Sequence, residues 1–142
     1  MKISTKGRYG LRIMVDIAQN VSEVPRNIHD ICKSQNLSEK YVSRLIIGFR
    51  RAGIIYSVRG AGGGYMLKRQ PKHITLLEIL EASEGKISIV DCVLCPKKCK
   101  KAENCVVREV WTELNNKIKK AFESVTLQDI LDKGQNLIEY FL

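Results

Sequence analysis

Ser38-Glu-Lys-Tyr41-Val-Ser43-Arg44-Leu-Ile-Ile-Gly-Phe49-Arg-Arg-Ala-Gly53, running on into Ile54-Ile-Tyr-Ser-Val58-Arg59-Gly60-Ala-Gly-Gly-Gly64-Tyr-Met-Leu67, is the stretch that decides the fold. Ser38 is a natural N-cap, because its hydroxyl oxygen can accept from an otherwise unpaired main-chain N–H. Glu39 then meets the positive end of the helix dipole. Tyr41, Val42, Leu45, Ile46 and Phe49 recur at helical spacing, and Gly53 ends the helix. Residues 54–58 are rich in β-branched side chains and predict a strand. Four glycines after Arg59 exclude a regular element and predict a turn, from which Tyr65-Met-Leu67 returns as the partner strand. Just upstream, a short helix over 26–34 turns Ile28, Ile31 and Cys32 inward, and Asn36-Leu37 makes the turn. Two short helices three or four residues apart, followed by strand, basic turn and strand, define a helix-turn-helix with a wing.

Working outward, the spacing predicts a first helix over 7–19, with Tyr9, Ile13 and Ile17 in one apolar line, broken at 21–25. Thr75-Leu-Leu-Glu78 is a capping box opening a helix to about residue 83, whose Leu76, Leu77, Ile79 and Leu80 should pack on the three-helix core. A cysteine-rich loop occupies 91–105. Val107, Trp111, Leu114, Ile118, Phe122 and Val125 then alternate at spacings of four and three, which predicts a long helix packed against another helix. Such an arm suits a dimer interface. A final short helix over 126–132 is expected to end at Gly134. The expected fold is mainly α with a small β wing. It divides into a winged helix-turn-helix over 1–85, a cofactor-binding loop over 86–105, and a dimerisation helix with a C-terminal helix over 106–142.

Charge is distributed unevenly. Residues 1–70 hold 13 Lys/Arg against 4 Asp/Glu and residues 71–142 hold 11 of each, so the entire net charge of +9 lies in the first half. That half is where phosphates would lie. In a helix-turn-helix the start of the second helix enters the major groove. There Lys40 and Arg44 share a face. Arg44 suits two acceptors of a guanine, Lys40 a phosphate, and Ser38 or Ser43 either. Arg59 in the wing is the candidate for a narrow minor groove, with Gly60 and the following glycines letting the main chain approach phosphates.

Four of the five cysteines fall within fourteen residues, as Cys92-x2-Cys95-x3-Cys99-x5-Cys105. Pairs two or three residues apart can wrap one ion or cluster, and the longer gap lets the chain cross to the remaining position. Lys97, Lys98, Lys100 and Lys101 offset the charge of four thiolates. Zinc would give a rigid structural knot, an iron–sulfur cluster a part that oxidants or nitric oxide can remove, and two disulfides a thiol switch. Spacing alone leaves all three open. Cys32 lies apart, as an inward packing residue.

Other classes are disfavoured. The glycine run lacks the Gly-Lys-Ser/Thr ending of a nucleotide phosphate loop and lies between strands. His29 and His73 are the only histidines, so no catalytic triad can be assembled and no enzyme or small-molecule substrate is expected. The cysteine order is the reverse of that in radical enzymes using S-adenosylmethionine. No apolar run suits a bilayer and no leader pattern is present, so no membrane partner is expected. Clustered thiols fit a reducing cytoplasm.

The opening Met1-Lys-Ile-Ser-Thr-Lys-Gly-Arg-Tyr-Gly-Leu-Arg12, the stretch Leu37-Ser-Glu-Lys-Tyr41, the wing Ser57-Val-Arg-Gly-Ala-Gly-Gly-Gly-Tyr65, and the cysteine loop with Val107-Arg-Glu-Val-Trp111 resemble the Rrf-type transcription regulators. The chain is closest in kind to the iron–sulfur cluster regulators among them. That resemblance implies a homodimer binding a palindromic double-stranded DNA operator. It matches Arg59 to the wing arginine, Ser38 and Tyr41 to the start of the recognition helix, and Cys99 and Cys105 to the last two cluster cysteines. The chain departs from the pattern in having Cys92 one residue further upstream and Cys95 additional. Arg108 replaces a ligating histidine, Arg8 an aspartate used by nitric-oxide sensors, and Ser43 an acidic residue that helps choose bases. Together these departures imply complete cysteine ligation of an iron–sulfur cluster, 2Fe–2S ahead of 4Fe–4S, with zinc as the alternative.

Overall fold

The computed structural model describes residues 1–19 and 24–141. The break expected at 21–25 therefore lies largely outside the described residues. Helix α1 (Thr5–Gln19) buries Ile13, Met14, Ile17 and Ala18. Helix α2 (Ile28–Gln35) starts two residues later than the sequence predicts, because Asn27 caps it by accepting from the Asp30 N–H. Arg26 is thereby left extended, and it pairs with the wing through Arg26 N–H to Tyr65 O at 3.0 Å and Tyr65 N–H to Arg26 O at 2.9 Å. Asn36 sits at φ 54° and returns its N–H to the Cys32 carbonyl, a left-handed position that asparagine tolerates. Helix α3 (Glu39–Arg51) follows, capped by Ser38, with Val42, Leu45, Ile46 and Phe49 buried.

Strands β1 (Ile55–Val58) and β2 (Gly64–Leu67) are antiparallel, with Ile55 opposite Leu67 and Val58 opposite Gly64. Helix α4 (Leu76–Glu84) opens on Thr75 with both halves of the capping box formed. It lies against α1 and α3, closely enough that a Cβ on Gly48 of α3 would stand 2.3 Å from the Ala82 carbonyl oxygen. Ile79 joins the main core, while Leu77 and Leu80 form a second cluster with Ile87.

The cysteine segment is a short helix α5 (Asp91–Leu94) and two single 3-10 turns, Pro96–Lys98 and Ala102–Asn104. Helix α6 (Val106–Glu123) is the long arm. Its apolar stripe divides: Phe122 packs on the Leu77–Leu80–Ile87 cluster, while Val107, Trp111 and Leu114, with Val110 beside them, stay exposed. Helix α7 (Leu127–Phe141) corrects the expectation of a short helix stopped at Gly134. Thr126 and Asp129 exchange main-chain and side-chain hydrogen bonds at its start, and Leu127 is fully buried in the core of the head, formed by α1 to α4 and the wing, with Leu131 packed against it. A glycine inside a helix costs only about 1 kcal/mol, so an anchored helix runs through it. The α6–α7 junction is stitched to the head by Leu76 N–H to Val125 O and Leu127 N–H to Ile74 O, each 2.8 Å.

Candidate nucleic-acid interface and cysteine loop

The buried side of α3 forces its other side outward. Lys40 and Arg44 are exposed on one face, as predicted, and Arg50 and Arg51 are exposed further along; Ser43 is half-buried at the margin. The Ser38 hydroxyl oxygen accepts from the Tyr41 N–H at 3.2 Å, so capping is its structural work. Tyr41 is placed differently from the rest of the set. It packs against the core, edge-on to Tyr9 with ring centroids 6.0 Å apart. Its hydroxyl is buried and meets no hydrogen-bond partner among the described residues. Arg59 and Gly60 occupy the exposed wing tip, where Gly60 takes φ 109° and its carbonyl accepts from the Gly63 N–H at 3.0 Å. That tight turn needs a residue without a side chain.

A polar network missing from the sequence reading fixes the wing to the helices. Asp16 of α1 is only 4% exposed. It accepts from Arg26 Nε at 2.7 Å, from Gln35 Nε2 at 2.8 Å and from the Ser34 hydroxyl. Arg26 is the residue whose main chain pairs with β2, so one buried carboxylate links α1, the end of α2 and the wing. The available signal was a carboxylate between Ile13 and Ile17, where an apolar line leaves no room for an unpaired charge.

The cysteine loop does not gather its four thiols. All are free, Cys92, Cys95 and Cys105 half-buried and Cys99 exposed. No three metal-ligating side chains converge among the described residues. The donor chemistry nevertheless fits a thiophilic centre, since four free thiols share one loop. What the structure does assemble is the loop's frame. Arg108, on the first turn of α6, donates from Nε to the Cys92 carbonyl at 3.0 Å and from a terminal nitrogen to the Ala102 carbonyl at 3.5 Å. Cys32 behaves as the sequence predicts: it packs on the core, and burial together with the Glu39 charge holds its thiol above the ordinary range. His29 is exposed, 3.8 Å from a Glu39 oxygen.

Two ties connect the arm to the head. Asn115 of α6 is buried, and its Oδ1 accepts from the Ile89 N–H at 3.1 Å, just before the loop. Glu81 of α4 meets Lys119 of α6 at 3.3 Å and Lys86 at 3.1 Å. Burial alone would raise the Glu81 carboxyl, but hydrogen bonds from Lys86, the Ile87 N–H and Lys119 outweigh it and hold the group below the ordinary glutamate range. No helix among the described residues is long and apolar enough to cross a membrane.

A basic recognition helix, a wing with an arginine at its tip and an arm rooted in the head define a winged helix-turn-helix of the transcription-regulator class. The chain belongs to the Rrf2 family, whose model, described as an iron-dependent transcriptional regulator, matches residues 3–133. The HTH-type transcriptional regulator CymR of Bacillus subtilis is 40% identical over 130 residues, covering 92% of this chain and 89% of that protein. The structure of CymR (YrzC), the global cysteine regulator of B. subtilis, superposes with a TM-score of 0.74 at 38% identity, covering 94% of this chain and 98% of that one. The T. potens IscR structure gives 0.74 at 36% identity, covering 94% and 88%. These relatives are regulators, not enzymes, and the chain is a transcriptional regulator of this family.

Proposed function

We propose that the regulator binds a palindromic DNA operator as a homodimer and acts as a repressor in the cytoplasm. In this reading Cys92, Cys95, Cys99 and Cys105 hold an iron–sulfur cluster, 2Fe–2S ahead of 4Fe–4S, that sets operator affinity. Ser38, Lys40, Tyr41, Ser43 and Arg44 form the recognition-helix side of the DNA site, with Tyr41 acting through packing. Arg59 and Gly60 form the wing side. Residues 1–85 read DNA, 86–105 sense, and 106–142 join the protomers and close back on the head. The exposed Val107, Val110, Trp111 and Leu114 form a stripe that a second copy would cover by the same face.

The observation that carries this reading is the position of the all-thiol loop. It lies between α4 and α6, its entry tied to Asn115 and its frame to Arg108. A bound cluster would supply a removable cross-link between the loop's turns. Arg108 would then hold the loop's two ends at fixed separation, and the lysines would lower the cost of four thiolates. Because Asn115 and Lys119 tie the arm to the segment beside α3, loop order and head spacing change together. Successive major-groove faces lie about 34 Å apart, so a small change in spacing costs affinity. Support also comes from the iron-dependent description of the family and the likeness to IscR.

The test is anaerobic purification with visible absorption and iron and sulfide analysis, followed by salt-dependent binding to a palindromic duplex. Coloured protein with iron and sulfide, losing operator response when all four loop cysteines are replaced, is expected. Colourless protein with one tightly held zinc per chain would sink the sensor reading and leave a zinc-stabilised interaction module. A second reading, a thiol–disulfide switch, is favoured by four free thiols on one loop, with Cys99 exposed to an oxidant. It is also favoured by the likeness to a global cysteine regulator. Metal-free protein whose operator affinity follows disulfide formation by mass spectrometry would select it.

A further inference from the structure

Helix α3 carries one large apolar side chain on its outward face. Ile47 is 48% exposed, although Val42, Leu45, Ile46 and Phe49 on the opposite side are buried. At helical spacing it falls in line with Lys40, Arg44 and Arg51, four, three and four residues apart, and all of these are exposed. Single exposed apolar residues are ordinary on protein surfaces. This one is unusual in its company: a β-branched residue, which a solvent-facing helix position does not favour, inside a stripe that is otherwise basic.

We infer that Ile47 is a specificity residue that packs against the C5-methyl group of a thymine in the major groove. The inference rests on the proposed DNA reading and deepens it. Among the four base pairs, that methyl is the one apolar feature of the major-groove edge, and an aliphatic side chain is its natural partner. Arg44 and Ile47 are three residues apart, about 4.5 Å along the axis, against about 3.4 Å between base pairs. The thymine therefore lies about one base step from the pair that Arg44 reads. Lys40 and Arg51, at the two ends of the stripe, would hold phosphates on either side and keep the isoleucine against the base edge.

The experiment starts from a duplex selected by the wild-type protein out of a random library. Each thymine of that duplex is then replaced singly by deoxyuridine, which removes only the methyl. Affinities of wild-type protein and Ile47→Ala are compared at one salt concentration, with Ile47→Val as a graded variant and circular dichroism to verify the fold. The wild type should lose about fourfold at one thymine per half-site, the value of one buried carbon group. Ile47→Ala should bind the thymine duplex more weakly by a similar factor and be indifferent to deoxyuridine at that position, with Ile47→Val between. Equal deoxyuridine losses in all three proteins, or no sensitive thymine, would overturn the inference and leave the DNA reading standing. If the wild type selects no duplex over scrambled DNA, the DNA reading fails and takes the inference with it.

Discussion

Replacing Asp16 by asparagine keeps the shape of the side chain and removes its charge, so it isolates what the buried carboxylate does. In the native protein one oxygen accepts from Arg26 Nε at 2.7 Å and the other from Gln35 Nε2 at 2.8 Å and from the Ser34 hydroxyl. Asparagine can still accept from Arg26, but as a neutral group, and its amide then faces the Gln35 amide donor to donor. Ser34 adapts, since its hydroxyl also donates to the Ile31 carbonyl at 3.1 Å. Weakening one charge-assisted hydrogen bond and losing a second costs about 2–3 kcal/mol. Arg26 retains a second acidic neighbour, Asp30, at 3.7 Å and is partly solvated, which keeps the cost from reaching that of a fully buried broken pair. For a chain of this length the loss corresponds to a fall in Tm of about 6–12 °C. Thermal unfolding followed by circular dichroism at neutral pH measures it. Operator binding should weaken as well, because Arg26 is paired with β2 through its main chain. A variant melting within about 2 °C of the wild type would refute the view that Asp16 anchors the wing.

Gly48→Ala should destabilise the protein by about 1–2 kcal/mol in chemical denaturation. Overpacking against the Ala82 carbonyl at 2.3 Å outweighs the roughly 1 kcal/mol that alanine gains as a helix former. Arg59→Ala should weaken DNA binding most where the minor groove is narrow and A·T-rich, measured on matched duplexes; equal loss on every duplex would make it a simple phosphate contact. Glu81 has its carboxyl held below the ordinary range in the folded protein, so its stabilising contribution is full above that range and is lost as pH falls below it through the group's lowered value. Glu81→Gln should therefore flatten the acid limb of stability against pH, and an unchanged acid limb would show that the Lys86 and Lys119 contacts carry no weight.

The head was legible because each signal in it is local. Ser38 and Thr75 cap the helices that follow them, and the run of β-branched residues ending at Val58 becomes a strand. What escaped was set by contacts distant in sequence. Asp16 and Arg26 meet across the gap between α1 and α2, and Arg26 leaves its expected helix because Tyr65 offers it a strand partner. Gly134 looked like a stop, but Leu127 anchors α7 from the far side of the core. Tyr41 was legible on the apolar side of its helix with Val42 and Leu45, but its edge-on contact with Tyr9 is one that spacing does not specify. The cysteines were legible as a set, whereas their separation depends on the turns between them, which spacing does not specify.

The arm is connected to α3 by a chain of contacts on both sides of the cysteine loop. On the entry side, the Ile89 N–H is held by Asn115, a buried polar group that would cost free energy if it lost that partner. On the head side, Glu81 of α4 is held by Lys119, one helical turn beyond Asn115 on the same arm. Helix α4 in turn has little slack against α3, because the Ala82 carbonyl oxygen lies only 2.3 Å from where a Cβ of Gly48 would be. Close-packed interfaces of this kind shift between discrete arrangements and do not deform smoothly. A loop that is ordered by its ligands would thus act on α3 through α6 and α4. By linkage, operator binding would bias the loop's ligation by the same factor.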